Sequence, residues 1–295
     1  KMTDTMSKQT QNEEIASLKH EIRRLRKSLS DLTPSLFTLL KRRGFRIYKK
    51  EPPDDLLLPE ERFIDNYYRL LSRYSFRLFL RDVIKHQEGF IPREVTRYST
   101  AEVTYGYIHR LLALELVTRE GDSYALKKRP IKTFGPTLEW LLSEIFKREF
   151  GAEAVWGIKF KRAGVGGDYD LIAKVDGSIL CMEVKSSPPK QIYTNELSAF
   201  LDRVFDLLPE IAVFFMDTEL RMKDKIVPMF EDELRKRDPR EVSGFLNTPS
   251  RKPLRALRIE KELFQIENKI FIINAKDSIV NNLEKVLRWH FRGAL

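Results

Sequence analysis

The chain has one cysteine, four histidines and no long apolar run. A single cysteine, Cys181, excludes an internal disulfide framework and is typical of a reducing compartment, so we expect a cytoplasmic protein. One cysteine and widely spaced histidines form no zinc-binding pattern. No apolar run reaches the roughly 18 residues that a membrane-spanning helix needs, and the polar N-terminus does not resemble a secretory signal. We therefore expect no membrane partner.

Charge is unevenly distributed along the chain. The 53 Lys and Arg residues exceed the 43 Asp and Glu residues by 10. Residues 1–50 hold 13 basic and 5 acidic residues, which is +8 of that excess. A basic balance favours polyanions such as nucleic acid as partners. The alternative is a solvated, charged N-terminal arm without a partner.

The first 50 residues also carry a heptad pattern. Apolar residues recur at alternating steps of three and four between residues 15 and 32: Ile15, Leu18, Ile22, Leu25, Leu29 and Leu32. This spacing predicts a coiled-coil helix and hence a homodimer. An amphipathic helix packed on its own chain is the alternative. A second helix-like run extends over residues 36–48, and a proline-rich linker follows it.

Residues 56–130 form the second predicted domain. Helices are expected at 61–71, 76–84, 93–98 and 101–115, followed by a two-stranded hairpin at 116–119 and 123–127. This order of elements resembles winged helix-turn-helix domains. The resemblance implies that the last helix enters the major groove and that the wing touches phosphates. The implied nucleic-acid contacts are Thr104, Tyr105, Arg110, Arg119, Lys127, Lys128 and Arg129. A protein-contact module is the alternative.

The strongest local pattern is an acidic hairpin. An apolar run begins at Asp170, Asp176-Gly177 gives a tight turn, and a second apolar run ends at Glu183-Val184-Lys185. Residues i and i+2 of a strand share a face, so Glu183 and Lys185 point the same way. Pairing across the hairpin would bring Asp170 close to both. Two carboxylates can hold a divalent cation, and an ammonium can stabilise charge on a phosphate.

This hairpin resembles the PD-(D/E)xK, or restriction-endonuclease-like, nuclease superfamily. Asp170, Glu183 and Lys185 match its acid, acid and lysine, although Tyr169 stands where the name has proline. The resemblance covers about residues 133–275 and implies an α/β fold with a mixed central sheet flanked by helices, here at 133–295. Members often add a glutamate on a preceding helix, for which Glu139 is the candidate and Glu144 the second choice.

The resemblance implies a Mg²⁺-dependent (or Mn²⁺-dependent) phosphodiesterase or endonuclease acting on nucleic acid, with DNA favoured. Asp170, Glu183 and the carbonyl of Val184 would hold the metal. Lys185 would assist the attacking water, and Lys159 and Lys190 would touch phosphate. Alternatively, Glu183 and Lys185 are surface charges on an edge strand. Two other functions stay open, namely a non-catalytic DNA-binding or regulatory protein of the same fold and a transcription regulator that senses a ligand.

The remaining pattern predicts the order of the core. Strands are expected at 154–161, 211–216 and 269–273, and the second of these should be buried on both faces because it is continuously apolar. Helices are expected at 137–150, 196–208, 221–237 and 278–291. Residues 238–256 are expected to form a loop. Asp217 is expected to support the site or, preferably, to cap the following helix.

Overall fold

The computed structural model describes residues 18, 21, 24, 33–50, 54, 56–161, 167–248 and 254–292. The predicted heptad helix lies outside these residues except for Leu18, Glu21 and Arg24, which are helical. The coiled coil and the homodimer therefore stay predictions. The chain divides into two compact units, residues 1–45 and 46–295.

The helix-like run predicted at 36–48 contains two elements. Helix α1 spans Leu36–Arg42, and Ser35 caps it by accepting a hydrogen bond from the Thr38 N–H at 3.3 Å. Gly44 follows with a φ of +82°, a backbone conformation that ends a helix easily at glycine. The chain then forms strand β1, Ile47–Lys50. The helix-like run predicted at 36–48 is therefore helical only to Arg42, because Gly44 turns the chain out of the helix and the residues after it pair in the sheet.

The second unit contains an eight-stranded mixed sheet. Its strands are β1, β4 (Glu153–Phe160), β5 (Tyr169–Val175), β6 (Ser178–Lys185), β7 (Ile211–Met216), β8 (Leu257–Glu260), β9 (Leu263–Ile266) and β10 (Ile270–Asn274). The spatial order is β1-β4-β5-β6-β7-β10-β9-β8. Strand β7 runs parallel to β6 and β10, and the other neighbours are antiparallel. This confirms the mixed sheet. Strand β1 and the β8–β9 hairpin extend it beyond the predicted strands.

Helices cover both faces of the sheet. Helices α5 (Gly135–Glu149) and α9 (Ile279–Arg292) pack on the face that includes Val213 and Phe215 of β7. Helices α6 (Thr194–Leu207), α7 (Ile226–Lys236) and α8 (Pro239–Leu246) pack on the face that includes Phe214. Every residue of β7 is buried, as its continuous apolar run predicted.

The segment between β1 and α5 contains helices and a hairpin. Helix α2 spans Ile64–Leu71, α3 spans Tyr74–Lys85 and α4 spans Ala101–Ala113, and the hairpin strands are β2 (Val117–Glu120) and β3 (Ser123–Leu126). The helix expected at 93–98 is only a short turn, Pro92–Glu94. The segment shares one hydrophobic core with α5, where Tyr67 stacks on Trp140 at a centroid distance of 6.1 Å.

A buried ion pair also joins this segment to the sheet. Arg77 on α3 is 1% exposed, and its Nη2 lies 2.8 Å from the carboxylate of Asp217, directly after β7. Arg81 binds the same carboxylate. The preferred role of Asp217, capping the next helix, is therefore wrong, because its carboxylate is engaged by two arginines.

The region after β7 differs in detail from the prediction. Helix α7 begins at Ile226 rather than near residue 221. The loop predicted at 238–256 contains α8, whose start is fixed by Asp238 accepting from the Arg240 N–H at 2.8 Å and by Pro239 in the first turn. The prolines and basic residues suggested a loop, but Val242, Phe245 and Leu246 give the helix a buried face. Among the described residues, no helix has the length and apolar character that crossing a bilayer requires.

Candidate active site

The predicted acidic hairpin is formed by β5 and β6. Asp176 and Gly177 both have positive φ, +47° and +83°, as a two-residue hairpin turn requires. Leu171 pairs with Met182, and continuing that antiparallel register by one residue sets Asp170 opposite Glu183. Strand β6 lies between β5 and β7 inside the sheet. The alternative that Glu183 and Lys185 are charges on an edge strand is therefore wrong.

Asp170 is held by the backbone of the neighbouring strand. Its Oδ2 accepts a hydrogen bond from the Val184 N–H at 2.7 Å. Burial raises the pKa of the Asp170 carboxyl well above its usual range, and the nearby charges of Glu183 and Glu139 raise it further. These carboxylates thus lie close enough to repel one another, which is a costly arrangement that a bound cation would relieve.

Glu183 is 4% exposed and contacts two cationic side chains. Its Oε1 lies 3.0 Å from the Nζ of Lys185, and its Oε2 accepts a hydrogen bond from the guanidinium of Arg203. Because a buried carboxylate needs such partners, these contacts offset the cost of burying Glu183 inside the sheet.

Lys185 bridges two carboxylates. Its Nζ lies 3.0 Å from Glu183 and 3.0 Å from Glu196 on α6. Burial alone would lower the pKa of the ammonium, but the two carboxylates outweigh burial and raise the pKa. Lys185 is therefore a fixed positive charge rather than a proton acceptor at neutral pH.

Arg203 and Glu196 are site residues that the sequence analysis missed. They stand seven positions apart on α6, so they lie on one face of the helix, two turns apart. Each contacts one of the two charged residues of β6. The sequence did carry one indication of these two residues. They have opposite charges, and they share one face of the helix that follows the Glu-x-Lys motif. Most charges on an amphipathic helix face solvent, so the pattern alone did not separate these two residues from the rest.

Glu139 lies on α5, across the sheet from α6. Its charge raises the pKa of Asp170, after burial and the charge of Glu183. Glu144, the second choice, is held instead by Lys147 at 3.0 Å and Arg148 at 2.9 Å on its own helix. Of the two candidates, Glu139 is the one whose charge acts on Asp170, and its catalytic role stays a prediction.

The chain approaches the site closely at Gly167. This residue has a φ of +103°, and a Cβ atom built there would lie 3.0 Å from the Nη1 of Arg203. A side chain at this position would therefore disturb the Arg203–Glu183 contact. The preceding residues, 162–166, lie outside the described residues.

Of the two lysines predicted to touch phosphate, one lies on a strand of the sheet and the other lies in a turn that follows a strand. Lys159 on β4 forms an ion pair with Asp168 at 2.8 Å. Lys190 lies in the short turn Pro189–Gln191 that follows β6, and its side chain is exposed. Their roles stay predictions.

The predicted nucleic-acid contacts on α4 differ in exposure. Thr104 is fully buried, and its hydroxyl donates to the carbonyl of Thr100 at 3.0 Å. Its assignment as a nucleic-acid contact is wrong, because this face of α4 packs into the core. Tyr105 is 49% exposed and Arg110 is exposed, so both are available to a partner.

The basic residues of the predicted wing are exposed but engaged within the chain. The Nε of Arg119 donates to the Gly121 carbonyl at 2.9 Å, and the Nζ of Lys128 donates to the Leu56 carbonyl at 2.9 Å. Lys127 lies 3.7 Å from Glu115, and Arg129 lies 3.0 Å from Glu88. A phosphate would have to compete with these contacts.

The carboxylate oxygens of the site decide whether a divalent cation could bind there. Within the described ranges, no cluster of three or more His, Cys, Asp and Glu side chains has the arrangement of a metal site. Asp170 and Glu183 are nevertheless hard oxygen ligands of the type that Mg²⁺ prefers. Burial and then the charge of Glu183 raise the pKa of Asp170, and a cation between the two carboxylates would offset both costs. Glu183 could bind that cation only by loosening its contacts with Arg203 and Lys185.

Solved structures that are similar to this chain include two named proteins. Protein VC1899 from Vibrio cholerae shares 15% identity, with 66% of this chain and 54% of that chain covered and a TM-score of 0.39. Can2 from Sulfobacillus thermosulfidooxidans, in complex with cyclic tetra-adenylate, shares 14% identity, with 64% and 53% covered and a TM-score of 0.39. The chain thus spans about half the length of each. No family model and no curated protein matches the chain. At these similarities neither structure decides its function, which must be argued from its own residues.

Proposed function

We propose that the chain is a metal-dependent nuclease that hydrolyses phosphodiester bonds of nucleic acid, with DNA as the favoured substrate. The observation that carries the proposal is the convergence of Asp170, Glu183 and Lys185. Two carboxylates and an ammonium meet at the end of one hairpin, and the charge of Glu139 acts on the same spot. Buried like charges at one spot are expensive, which favours a functional over a structural role.

Asp170, Glu183 and the carbonyl of Val184 are the groups that would hold Mg²⁺ or Mn²⁺. A bound divalent cation would supply a more acidic water and neutralise charge on the phosphate. Lys185 contributes a positive charge held in place by Glu183 and Glu196, so it can stabilise charge that develops on the phosphate without reorganising. Glu139 is proposed as a further carboxylate near the cation.

The predicted nucleic-acid contacts on the helical segment and the predicted dimer belong to the same proposal. A winged helix at 56–130 would deliver the site to DNA, and a homodimer would offer two sites for double-strand cleavage. Deleting 60–130 would not test this, because the segment shares its core with α5. Single substitutions of exposed residues are the suitable probes.

The test uses substitutions that keep side-chain shape. Wild type, Asp170→Asn and Lys185→Met are incubated with plasmid, single-stranded DNA and RNA, each with Mg²⁺, Mn²⁺ or chelator. The expected result is cleavage that needs the metal and is lost in both variants. Glu144→Gln is the matched control, since Glu144 is a carboxylate held by Lys147 and Arg148 away from the site. Cleavage that persists in both variants, or in chelator, would exclude this site as the catalytic centre.

A non-catalytic DNA-binding protein of the same fold is the second candidate. It is favoured by the buried contact between Glu183 and Arg203, which occupies one of the two carboxylates that a metal would need. The two candidates differ in metal binding. Titration with Mn²⁺, followed by the loss of its free electron paramagnetic resonance signal, should show a site that Asp170→Asn removes if the chain is a nuclease. A protein without such a site would leave the free Mn²⁺ signal unchanged.

A further inference from the structure

The helical segment contains a pocket that is separate from the acidic hairpin. Its volume is about 420 Å³, and it lies between α2 and α4. One wall is formed by residues of α2 and of the turn after it, which are spaced at i, i+3, i+4 and i+7. The other wall is formed by residues of α4 and of its C-terminal end. The side chains that decide its chemistry are Asn66, Arg69, Arg73 and Arg110, with Phe63 and Leu70 as apolar lining.

The arginines of this pocket are exposed and have no partner among the described residues. In the part of the chain that the structure describes, the guanidinium groups of Arg69, Arg73 and Arg110 form no hydrogen bond, ion pair or ring contact. The neighbouring acids are engaged elsewhere, since Asp65 binds Arg148 at 2.6 Å and Glu115 binds Arg62 at 2.8 Å. The three positive charges are therefore not compensated locally.

The basic residues of the predicted wing contrast with this pocket. Arg119, Lys127, Lys128 and Arg129 each contact an oxygen of the chain itself. A ligand phosphate would have to displace those contacts on the wing, whereas in the pocket it would meet free donors. Arg73 also immediately precedes α3, whose first turn holds no acidic residue, so the helix dipole adds positive potential at the pocket edge.

The pocket's size and lining define the ligand class. Its volume lies within the range of small-molecule sites, which is roughly 300–1,000 Å³. Guanidinium groups bind phosphate through paired N–H donors, and the planar fork suits it better than a lysine would. Apolar surface beside the arginines would cover a base, and the amide of Asn66 offers both a donor and an acceptor to a base edge or sugar.

We propose that this pocket binds a nucleotide, with Arg69, Arg73 and Arg110 on its phosphates and its base against the apolar wall. The nucleotide is either a free ligand or one unit of a nucleic-acid strand, and both present the same chemistry. The site does not require catalysis at Asp170, so it stands or falls independently of nuclease activity.

The experiment measures binding by the full-length protein in chelator, where metal-dependent cleavage is absent. The probes are ATP and inorganic pyrophosphate by calorimetry, and a fluorescein-labelled dT12 oligonucleotide by anisotropy. The variants are the single substitution Arg73→Gln and the double substitution Arg69→Gln with Arg110→Gln. The control is Arg235→Gln, an exposed arginine already paired with Asp232. Thermal melting of each variant reports folding.

The expected result is that ATP or dT12 binds wild type, and that the double variant weakens binding by about tenfold to a hundredfold. Arg73→Gln should weaken it less and Arg235→Gln hardly at all. Tighter binding of ATP identifies a free nucleotide, and tighter binding of dT12 identifies a strand. For dT12, the double variant should also reduce the slope of log affinity against log salt by about 1.4.

Three results would overturn the proposal. The first is that neither ATP nor dT12 binds wild type. The second is that a folded double variant binds as tightly as wild type does. The third is that pyrophosphate binds as tightly as ATP. The last result would show an anion site that does not recognise the base. If the double variant melts at a lower temperature than wild type, the single substitution Arg73→Gln decides between these outcomes.

Discussion

Arginines have different roles in the sheet and on the helical segment. Arg203 and Arg77 are buried, and each binds a buried carboxylate, Glu183 and Asp217 respectively. Arg69, Arg73 and Arg110 are exposed around a pocket and have no partner within the described residues. A buried arginine without a carboxylate would be too costly, so the first group fixes the structure. The second group is free to bind a ligand.

The largest expected effect concerns the buried group. Arg77→Met removes the main partner of the fully buried Asp217 carboxylate and should lower the free energy of unfolding by about 3–5 kcal/mol. Urea unfolding measures this. The matched control is Arg235→Met, which breaks the exposed pair with Asp232 and should cost about 0–1 kcal/mol. Equal losses of unfolding free energy in the two variants would mean that burial does not decide how much an arginine–carboxylate pair stabilises the chain.

Substituting the site lysine tests whether its fixed charge serves catalysis. Lys185→Met should reduce the rate of DNA cleavage by about 10²–10³, because the charge aimed at the phosphate is lost. Lys174→Met is the control, since Lys174 forms an ion pair with Glu153 on the same sheet, at 2.9 Å. Single-turnover cleavage separates the chemical step from binding. A smaller loss in Lys185→Met than in the control would contradict the proposed role.

Arg203 is expected to compete with a divalent cation for Glu183. Arg203→Met should therefore tighten Mn²⁺ binding by about tenfold, provided that the variant stays folded, because one cationic competitor is removed. Calorimetric titration with Mn²⁺ gives the affinity, and Arg237→Met is the control on the following helix, since Arg237 binds Asp202 at 2.6 Å. Weaker Mn²⁺ binding in Arg203→Met would show instead that the arginine orients Glu183 for the metal.

The smallest effect concerns the pH dependence of stability. Burial, Glu183 and Glu139 raise the pKa of Asp170 in the folded state above its unfolded value of 3.8. The folded state then binds the proton more tightly, so this contribution to stability is present below pH 3.8 and is lost as pH rises from there through the folded pKa. Asp170→Asn, which keeps an oxygen for the Val184 N–H, should be more stable than wild type at neutral pH.

That advantage should fade as pH falls below the unfolded pKa, where Asp170 is protonated in both states. Denaturant unfolding at pH 7 and in acid measures the difference, and Asp122→Asn in the exposed hairpin turn controls for loss of a charge. A stability difference that grows in acid would contradict the proposed repulsion among the carboxylates.

Local patterns predicted some elements well and others poorly. The hairpin of β5 and β6 was predicted because the Asp-Gly turn and the alternation of strand side chains are local signals. Strand β7 was predicted from its continuous apolar run. Helix α8 was missed because its proline and charged residues also suit a loop. Strand β1 was missed because a short strand depends on its partner, β4, more than 100 residues away.

The sequence by itself determined the acidic hairpin with Asp170, Glu183 and Lys185, because turn chemistry and the two-residue period of a strand act over a few positions. Only the tertiary structure decided which charges meet. It brought Arg203 to Glu183, Glu196 to Lys185 and Arg77 to Asp217. It gave the three arginines of the pocket no partner in the part of the chain that the structure describes. The physical reason is that ion pairs depend on distance in space, and packing of α3, α4 and α6 sets that distance.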